Sequence, residues 1–270
     1  MIKEDDHKIL QGDCLEIMRT MPQDFVDLIF TDPPYNQNIP YVKKDFRDRK
    51  KPQDYLNWLK IRLREMHRIL KPTGSMYIMN YPEWNARLLP FLEDELNMYL
   101  RRWIVWHYPT NVGHSKKNWT RSHRSILLLT KGEEYTFNKK AIIQPYKNPD
   151  VGKIKKLIDN GALGRGAYDT LDLNDLLEIF EKYGYPKDVV KQNLLKNVRH
   201  ERKSWHACQL PPELIEIFIK VSSNPKDLIL DPFAGTFTTS MVAKRLDRKS
   251  IGIELSKKYT RFGSSRLREN

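Results

Sequence analysis

Thr31-Asp32-Pro33-Pro34-Tyr35-Asn36 follows directly on the apolar run Val26-Asp27-Leu28-Ile29-Phe30. Two successive prolines fix the backbone and remove two N–H donors. What remains is a set of acceptors, the carbonyl oxygens and the Asp32 carboxylate, pointing in set directions. Such a site takes hydrogen bonds and does not give them, so a planar amino group is its natural guest. Tyr35 adds a flat face on which an extruded nucleic-acid base can stack. Taken alone, the tripeptide is equally what a rigid strand-to-loop turn with a capping aspartate looks like.

A second segment narrows the choice. Leu228-Ile229-Leu230-Asp231-Pro232-Phe233-Ala234-Gly235-Thr236-Phe237-Thr238-Thr239 reads as a strand, a tight Gly-containing turn and a helix start, and Ile251-Gly252-Ile253-Glu254 as a short strand ending in an acid. Strand, Gly turn, helix and an acid about 20 residues on is how a Rossmann-like unit holds a nucleoside, with the acid accepting from ribose hydroxyls. The phosphate-binding GxGxxG is absent, and Asp231 with Glu254 opposes a pyrophosphate. A cationic nucleoside suits these acids better.

The elements that must position both segments follow from periodicity. Apolar runs predict strands at Val26–Phe30, Ser75–Met79, Arg102–His107, Ser125–Thr130, Leu228–Leu230 and Ser250–Ile253. A spacing near 3.6 predicts a helix over Tyr55–Leu70, stopped at Lys71-Pro72-Thr73-Gly74, with further helices at Leu214–Val221 and Thr239–Leu246. This alternation predicts an α/β fold, an open and mostly parallel sheet with helices on both faces, in which ligand chemistry sits beyond the carboxyl ends of the strands. Between Lys131 and Trp205 the strand-like runs vanish, and short helices are expected at Asp175–Tyr183 and Pro186–Lys196. We read this stretch as an insertion on the sheet scaffold.

Charge points to the partner. Among 270 residues, 47 Lys and Arg against 34 Asp and Glu give a formal net charge of +13, which seeks polyanions, nucleic acid first. A hydrophobic fraction of 40% is enough to bury a core and excludes disorder as the default. Cys14 and Cys208 stand far apart without a CxxC or paired His, so neither a disulfide framework nor a zinc site is expected. The polar start Met1-Ile2-Lys3-Glu4-Asp5-Asp6-His7 and the absence of long apolar runs predict a cytoplasmic protein with no membrane span.

Together the two segments resemble the beta class of S-adenosylmethionine-dependent DNA amino-methyltransferases, of the restriction-modification type. Asp32-Pro33-Pro34-Tyr35 matches the family's [DNS]PP[YFW] catalytic motif, and Asp231-Pro232-Phe233-Ala234-Gly235-Thr236 its DPFxGxG cofactor loop. Catalytic motif first and cofactor loop last is the circular permutation of that class. Gln11-Gly12-Asp13-Cys14-Leu15-Glu16 looks like the family's GD(C/S)LE segment, and His206-Ala207-Cys208-Gln209-Leu210-Pro211 like its HPxQKP segment. The resemblance covers nearly the whole chain outside about 132–200.

It implies a class I methyltransferase fold, with 1–131 as the catalytic part, 132–200 as a helical target-recognition insertion and 201–270 as the cofactor part. It also implies catalysis by Asp32, Pro33, Pro34 and Tyr35. S-adenosylmethionine, with no metal, is to be held by Asp13, Cys14, Asp32, Gln209, Asp231, Phe233, Gly235, Thr236, Thr238, Thr239 and Glu254. Double-stranded DNA is the expected partner, through Lys116, Lys117, Asn118, Arg121 and Arg124 in one basic loop and Arg199, Arg202 and Lys203 at the far end of the insertion. A restriction endonuclease acting separately is a further partner of such enzymes, and the protein is expected as a monomer or homodimer.

The Thr-Asp-Pro-Pro-Tyr-Asn context favours adenine N6 as the target, with cytosine N4 as the alternative. Phe237 replaces the second glycine of the cofactor loop, and Leu210 replaces the HPxQKP lysine. Phe237 is also the feature in favour of another class, a DNA-binding regulatory protein with a decayed cofactor site.

Overall fold

A computed structural model of the chain describes residues 6–38, 40–42, 46–47, 49–107, 117–171 and 210–269. In chain order the elements are β1 (His7–Gln11), α1 (Cys14–Arg19), β2 (Val26–Thr31), β3 (Pro40–Val42), β4 (Phe46–Arg47), α2 (Pro52–Ile69), β5 (Leu70–Asn80), α3 (Pro82–Pro90), β6 (Tyr99–His107) and β7 (His123–Thr130). They continue with β8 (Ile143–Gln144), α4 (Gly152–Asp159), β9 (Arg165–Gly166), β10 (Thr170–Leu171), α5 (Pro212–Ser222), β11 (Leu228–Asp231), α6 (Thr238–Arg245), β12 (Lys249–Glu254) and α7 (Lys257–Glu269).

Eight strands form one sheet in the order β1-β12-β11-β2-β5-β7-β6-β10. Among the described residues every neighbouring pair is parallel except those of β7, which runs antiparallel to β5 and to β6. From β2 the chain moves to β5 on one side, and from β11 it moves to β12 on the other. The winding therefore reverses between β2 and β11, the place where an open α/β sheet leaves a crevice beyond its strand ends.

Helices cover both faces, which is why the inner strands read as unbroken apolar runs instead of alternating ones. On one face Leu59, Leu63 and Met66 of α2 pack with Ile29 and Met76. On the other, Leu214 and Phe218 of α5 and Val242 of α6 pack with Leu28, Phe30 and Tyr77. A register shift between Val26 and Leu28 places Val26 in the same cluster as Ile29. Asp27, the one acid in that run, joins strand starts: Lys71 Nζ donates to Oδ1 at 2.6 Å and the Leu228 N–H to Oδ2 at 2.9 Å.

The predicted strands and the helices at 55–70, 214–221 and 239–246 are all present, within a few residues. The break at Lys71-Pro72-Thr73-Gly74 is no loop, however. α2 ends at Ile69 and β5 starts at Leu70, carrying Pro72 through the irregular stretch between the pairs Val26–Leu70 and Leu28–Ser75. A Cβ on Gly74 would come within 2.9 Å of the Asp27 carbonyl oxygen, so glycine is required by close approach.

Strands β1 and β10 lack a predictive run; Thr170–Leu171 is two residues long and pairs in parallel with Val105 and Trp106 of β6. The described part of 132–200 is not purely helical either, since it holds α4, the small antiparallel pair β8–β9 and β10. The helices expected at 175–183 and 186–196 lie outside the described residues. Among those described, no helix is long and apolar enough to cross a membrane.

Candidate active site

The parallel strands deliver their motifs to one sheet edge. β2 ends at Thr31 and releases Asp32-Pro33-Pro34-Tyr35, while the adjacent β11 ends in Asp231 and opens the Pro232–Phe237 loop. Asp32 is partly buried, at the edge of the pocket. Burial pushes its carboxyl up to about 7, opposed by a hydrogen bond from the Tyr35 hydroxyl and by the nearby Arg124 charge, and reinforced by Asp231. Tyr35 is 5% exposed, and its ring meets that of Tyr81 at 4.9 Å between centroids. Its carbonyl accepts from Trp84 Nε1 at 3.0 Å. On the other side of the motif, Asn36 takes a positive φ of 60° and exchanges two bonds with the Lys50 backbone, at 2.9 and 2.7 Å. The Asp32–Asn36 turn is thus tied to its surroundings at both ends.

The Pro232–Phe237 loop is equally closed upon itself. Asp231 accepts from the Thr239 hydroxyl at 2.6 Å and from the Phe233 N–H at 3.1 Å. Burial nevertheless raises its carboxyl to about 6. At the end of β12, Glu254 accepts from the Gly235 N–H at 3.0 Å and the Ser256 N–H at 2.8 Å, and burial pushes it to about 7.

Phe237 does not obstruct this loop. It adopts φ 60° and ψ 32° at the N-cap of α6, its ring is fully buried, and it lies between Gly252 and Gly263, outside the pocket wall. The bulk that set this residue apart in sequence is absorbed by two glycines elsewhere in the chain.

Asp13 caps α1 by accepting from the Leu15 N–H at 2.7 Å. Arg62 Nη2 bridges both of its oxygens, at 3.0 and 2.7 Å. The Arg62 side chain is 8% exposed and its guanidinium lies 4.3 Å from the Trp58 ring centroid. Cys14 beside it is buried, which pushes its thiol up to about 12.

One pocket joins these parts. Of the expected cofactor residues, Asp13, Cys14, Asp32, Asp231 and Phe233 line it, as do Gly235, Thr236, Thr238, Thr239 and Glu254. Pro33, Pro34 and Tyr35 face the same space. Gln209 lies outside the described residues.

Trp58, Arg62 and Tyr259 also line the pocket, and sequence reasoning missed them. The available signal was a charged residue, Arg62, inside the apolar stripe of α2 between Leu59 and Leu63, all three of which are buried. Four carboxylates and a single arginine, walled by Trp58 and Phe233, make a mainly accepting, acidic lining that fits a cationic nucleoside and disfavours a polyphosphate.

The expected DNA-contacting residues divide. Lys117 and Asn118 are exposed. Arg121 and Arg124 turn inward: Arg121 pairs with Glu83 and lies 3.7 Å from the Tyr81 ring centroid, and Arg124 lies 4.5 Å from Tyr81 and 5.2 Å from Tyr35. Lys116, Arg199, Arg202 and Lys203 fall outside the described residues.

The chain resembles known proteins over most of its length. A family model described as DNA methylase matches residues 26–264. The DNA adenine methyltransferase YhdJ of Escherichia coli (strain K12) is 34% identical over 265 residues, 96% of this chain and 82% of its own. The type II methyltransferase M.BglII of Bacillus subtilis is 32% identical over 267 residues, 95% of this chain and 68% of its own.

Among solved structures, the cytosine-N4-specific PvuII DNA methyltransferase superposes with a TM-score of 0.64 at 19% identity, over 96% of this chain and 85% of that one. The M1.HpyAVI–SAM complex superposes at 0.62 and 21% identity, over 96% of this chain and 98% of that one. The Asp-Pro-Pro-Tyr turn and the acid-lined pocket on neighbouring strands of this sheet accord with those matches, and the chain belongs to the N6/N4 DNA methylase family, the DNA amino-methyltransferases.

Proposed function

We propose that the chain methylates the N6 amino group of adenine in double-stranded DNA, with S-adenosylmethionine as the methyl donor held in the acid-lined pocket. The observation that carries this reading is that the Asp32–Tyr35 turn, with the Asp32 carboxylate and the Pro33 carbonyl oxygen as acceptors, opens into the pocket that Glu254, Asp231 and Asp13 line. The Thr-Asp-Pro-Pro-Tyr-Asn context and the name of the Escherichia coli relative support adenine. Cytosine N4 is the second reading, supported by the printed specificity of the PvuII enzyme. Phe237, which had favoured a regulatory protein without a cofactor, leaves the pocket clear.

When bound, S-adenosylmethionine supplies a methyl group made electrophilic by the sulfonium charge. The target nucleotide rotates out of the duplex at a cost of a few kcal/mol, and stacking against Tyr35 offsets part of it. The amino nitrogen of the base is a poor nucleophile because its lone pair is delocalised into the ring. Asp32 and the Pro33 carbonyl oxygen would accept its two N–H bonds, draw the nitrogen toward tetrahedral geometry and stabilise the positive charge that grows on it as its lone pair bonds to the methyl carbon and the sulfur leaves as a neutral thioether with the C–S electron pair. One nitrogen proton then leaves to Asp32, whose carboxyl near 7 suits that exchange at neutral pH. Residues 132–200 act as the target-recognition insertion between the catalytic and cofactor parts, as a monomer or a homodimer, and a restriction endonuclease acting separately would share the target sequence.

The test is to incubate unmodified genomic DNA with methyl-labelled S-adenosylmethionine, digest it to nucleosides and analyse these by mass spectrometry, with Asp32→Ala as control. Labelled N6-methyladenine lost in the variant is the expected result. Labelled N4-methylcytosine selects the second reading, and no labelled nucleoside overturns both.

A further inference from the structure

The C-terminal helix α7 meets the cofactor loop through three positions on one face. Tyr259 lines the pocket and is 4% exposed. One turn further, a Cβ on Gly263 would fall 2.3 Å from the Phe237 ring, so the absence of a side chain there is what admits the ring. Another turn on, Arg266 Nη1 donates to the Thr236 carbonyl at 3.1 Å and lies 3.2 Å from the Thr238 hydroxyl oxygen, to which it also donates. Positions 259, 263 and 266 have the four-then-three spacing that aligns side chains along one side of a helix. Gly252 of β12 bounds the ring from across the slot, where a Cβ would fall 2.6 Å from it. Lys244 of α6 donates to the Leu267 carbonyl at 2.6 Å and ties the two helices together behind the loop.

Phe237 is the residue that needs this support. Its φ of 60° is a left-handed conformation that glycine takes freely and an aromatic residue takes only at a cost. Full burial of the ring between two glycines offsets that cost as long as the slot exists. The residues immediately before and after Phe237, Thr236 and Thr238, are the two that Arg266 grips, and both line the pocket.

We propose that α7 is a working part of the cofactor site, with Gly263 and Arg266 as positioning residues that hold Phe237 left-handed and keep Gly235, Thr236 and Thr238 in the pocket wall. This rests on the reading of the pocket as the S-adenosylmethionine site. Affinity for the methyl donor is therefore set in part by a helix that belongs to neither sequence motif.

A size swap tests it. Gly263→Ala, Arg266→Ala and the double variant Phe237→Gly/Gly263→Ala are titrated calorimetrically with S-adenosylmethionine, and kcat and KM for cofactor and for DNA are measured on unmethylated DNA. Each single variant should bind the cofactor about tenfold more weakly, as expected for the loss of one or two hydrogen bonds or a comparable distortion. The loss should fall on the cofactor KM, with kcat and the DNA KM within about twofold of wild type. The double variant should recover most of the affinity lost in Gly263→Ala.

Wild-type cofactor affinity in both single variants overturns the proposal. So does a parallel loss of kcat and both KM values that the double variant does not recover. If Gly263→Ala does not fold, Arg266→Ala decides alone. Failure of the wild-type protein to bind S-adenosylmethionine overturns the pocket reading itself, whereas binding that the variants leave unchanged removes α7 alone from the site.

Discussion

The Tyr35 hydroxyl donates to the Asp32 carboxylate three residues before it, inside the Asp-Pro-Pro-Tyr turn. That bond holds Asp32 below where burial alone would put it, so its carboxyl stands at about 7. If ionised Asp32 is the acceptor for the base, kcat/KM should rise with pH and level off above about 7. In Tyr35→Phe the restraint is gone, and the rising limb should move to higher pH. A pH–rate profile of both proteins on one DNA substrate checks this, and an unmoved limb would assign the titration to another group.

Cofactor binding should release protons. Glu254 and Asp231 are held by burial at about 7 and about 6, against ordinary values of 4.5 and 3.8. A cationic ligand favours their ionised forms, so affinity should increase as pH rises toward about 7 and then flatten. Without ligand the sign is opposite. The folded state keeps protons that the unfolded chain has already lost, so the stability from these two groups is full below about 4 and lost as pH rises through about 7. Calorimetry in buffers of different ionisation enthalpy, with thermal melts at several pH values with and without S-adenosylmethionine, reads both effects.

Arg62→Ala leaves the Asp13 carboxylate without its bridging cation and opens a space against Trp58. Cofactor affinity should fall about tenfold or more and stability by about 1–3 kcal/mol. Arg62→Lys should recover a part of each, because it keeps the charge and loses the flat contact with the indole. Calorimetric titration together with urea unfolding separates the two losses.

Lys117→Glu should weaken DNA binding and lower the slope of log K against log salt by more than about 1, since one phosphate contact is removed and a like charge put in its place. Lys117 is exposed and is not among the residues that line the cofactor pocket, so S-adenosylmethionine affinity should stay at the wild-type value. Fluorescence anisotropy across a salt series tests it.

Cys14 should resist alkylation in the folded protein. Burial pushes its thiol up to about 12, and the mechanism asks nothing of it as a nucleophile. Peptide mapping after iodoacetamide treatment at pH 8, native against denatured, should find the Cys14 peptide labelled only in the denatured sample.

Legibility of the fold tracked burial. β2, β5, β7 and β11 are covered on both faces, and their Ile and Leu runs announced them. β1 and β10 did not announce themselves, because an edge strand such as His7-Lys8-Ile9-Leu10-Gln11 needs few apolar residues to pair. At the site, the acids and small residues of the two loops were legible because chemistry restricts their types. Trp58 and Arg62 were hidden in a helical stripe, where a large side chain reads as core whether or not it also borders a pocket. The orientation of Phe237 was hidden for another reason: it depends on Gly252 and Gly263, and no local pattern links a residue to a gap made for it elsewhere in the chain.

Pairing between β1 and β12 brings His7 within 3.0 Å of Ser250, 243 residues later in the chain. On the ribosome, the Asp-Pro-Pro-Tyr turn emerges early, and β11, β12 and α7 emerge only after nearly all the other described elements. A nascent chain therefore carries the Asp-Pro-Pro-Tyr turn well before the strands that complete the pocket beside it. Such long-range closure is slow to form, so the pocket between the two motifs is complete only once β11, β12 and α7 have been made and have paired with what precedes them.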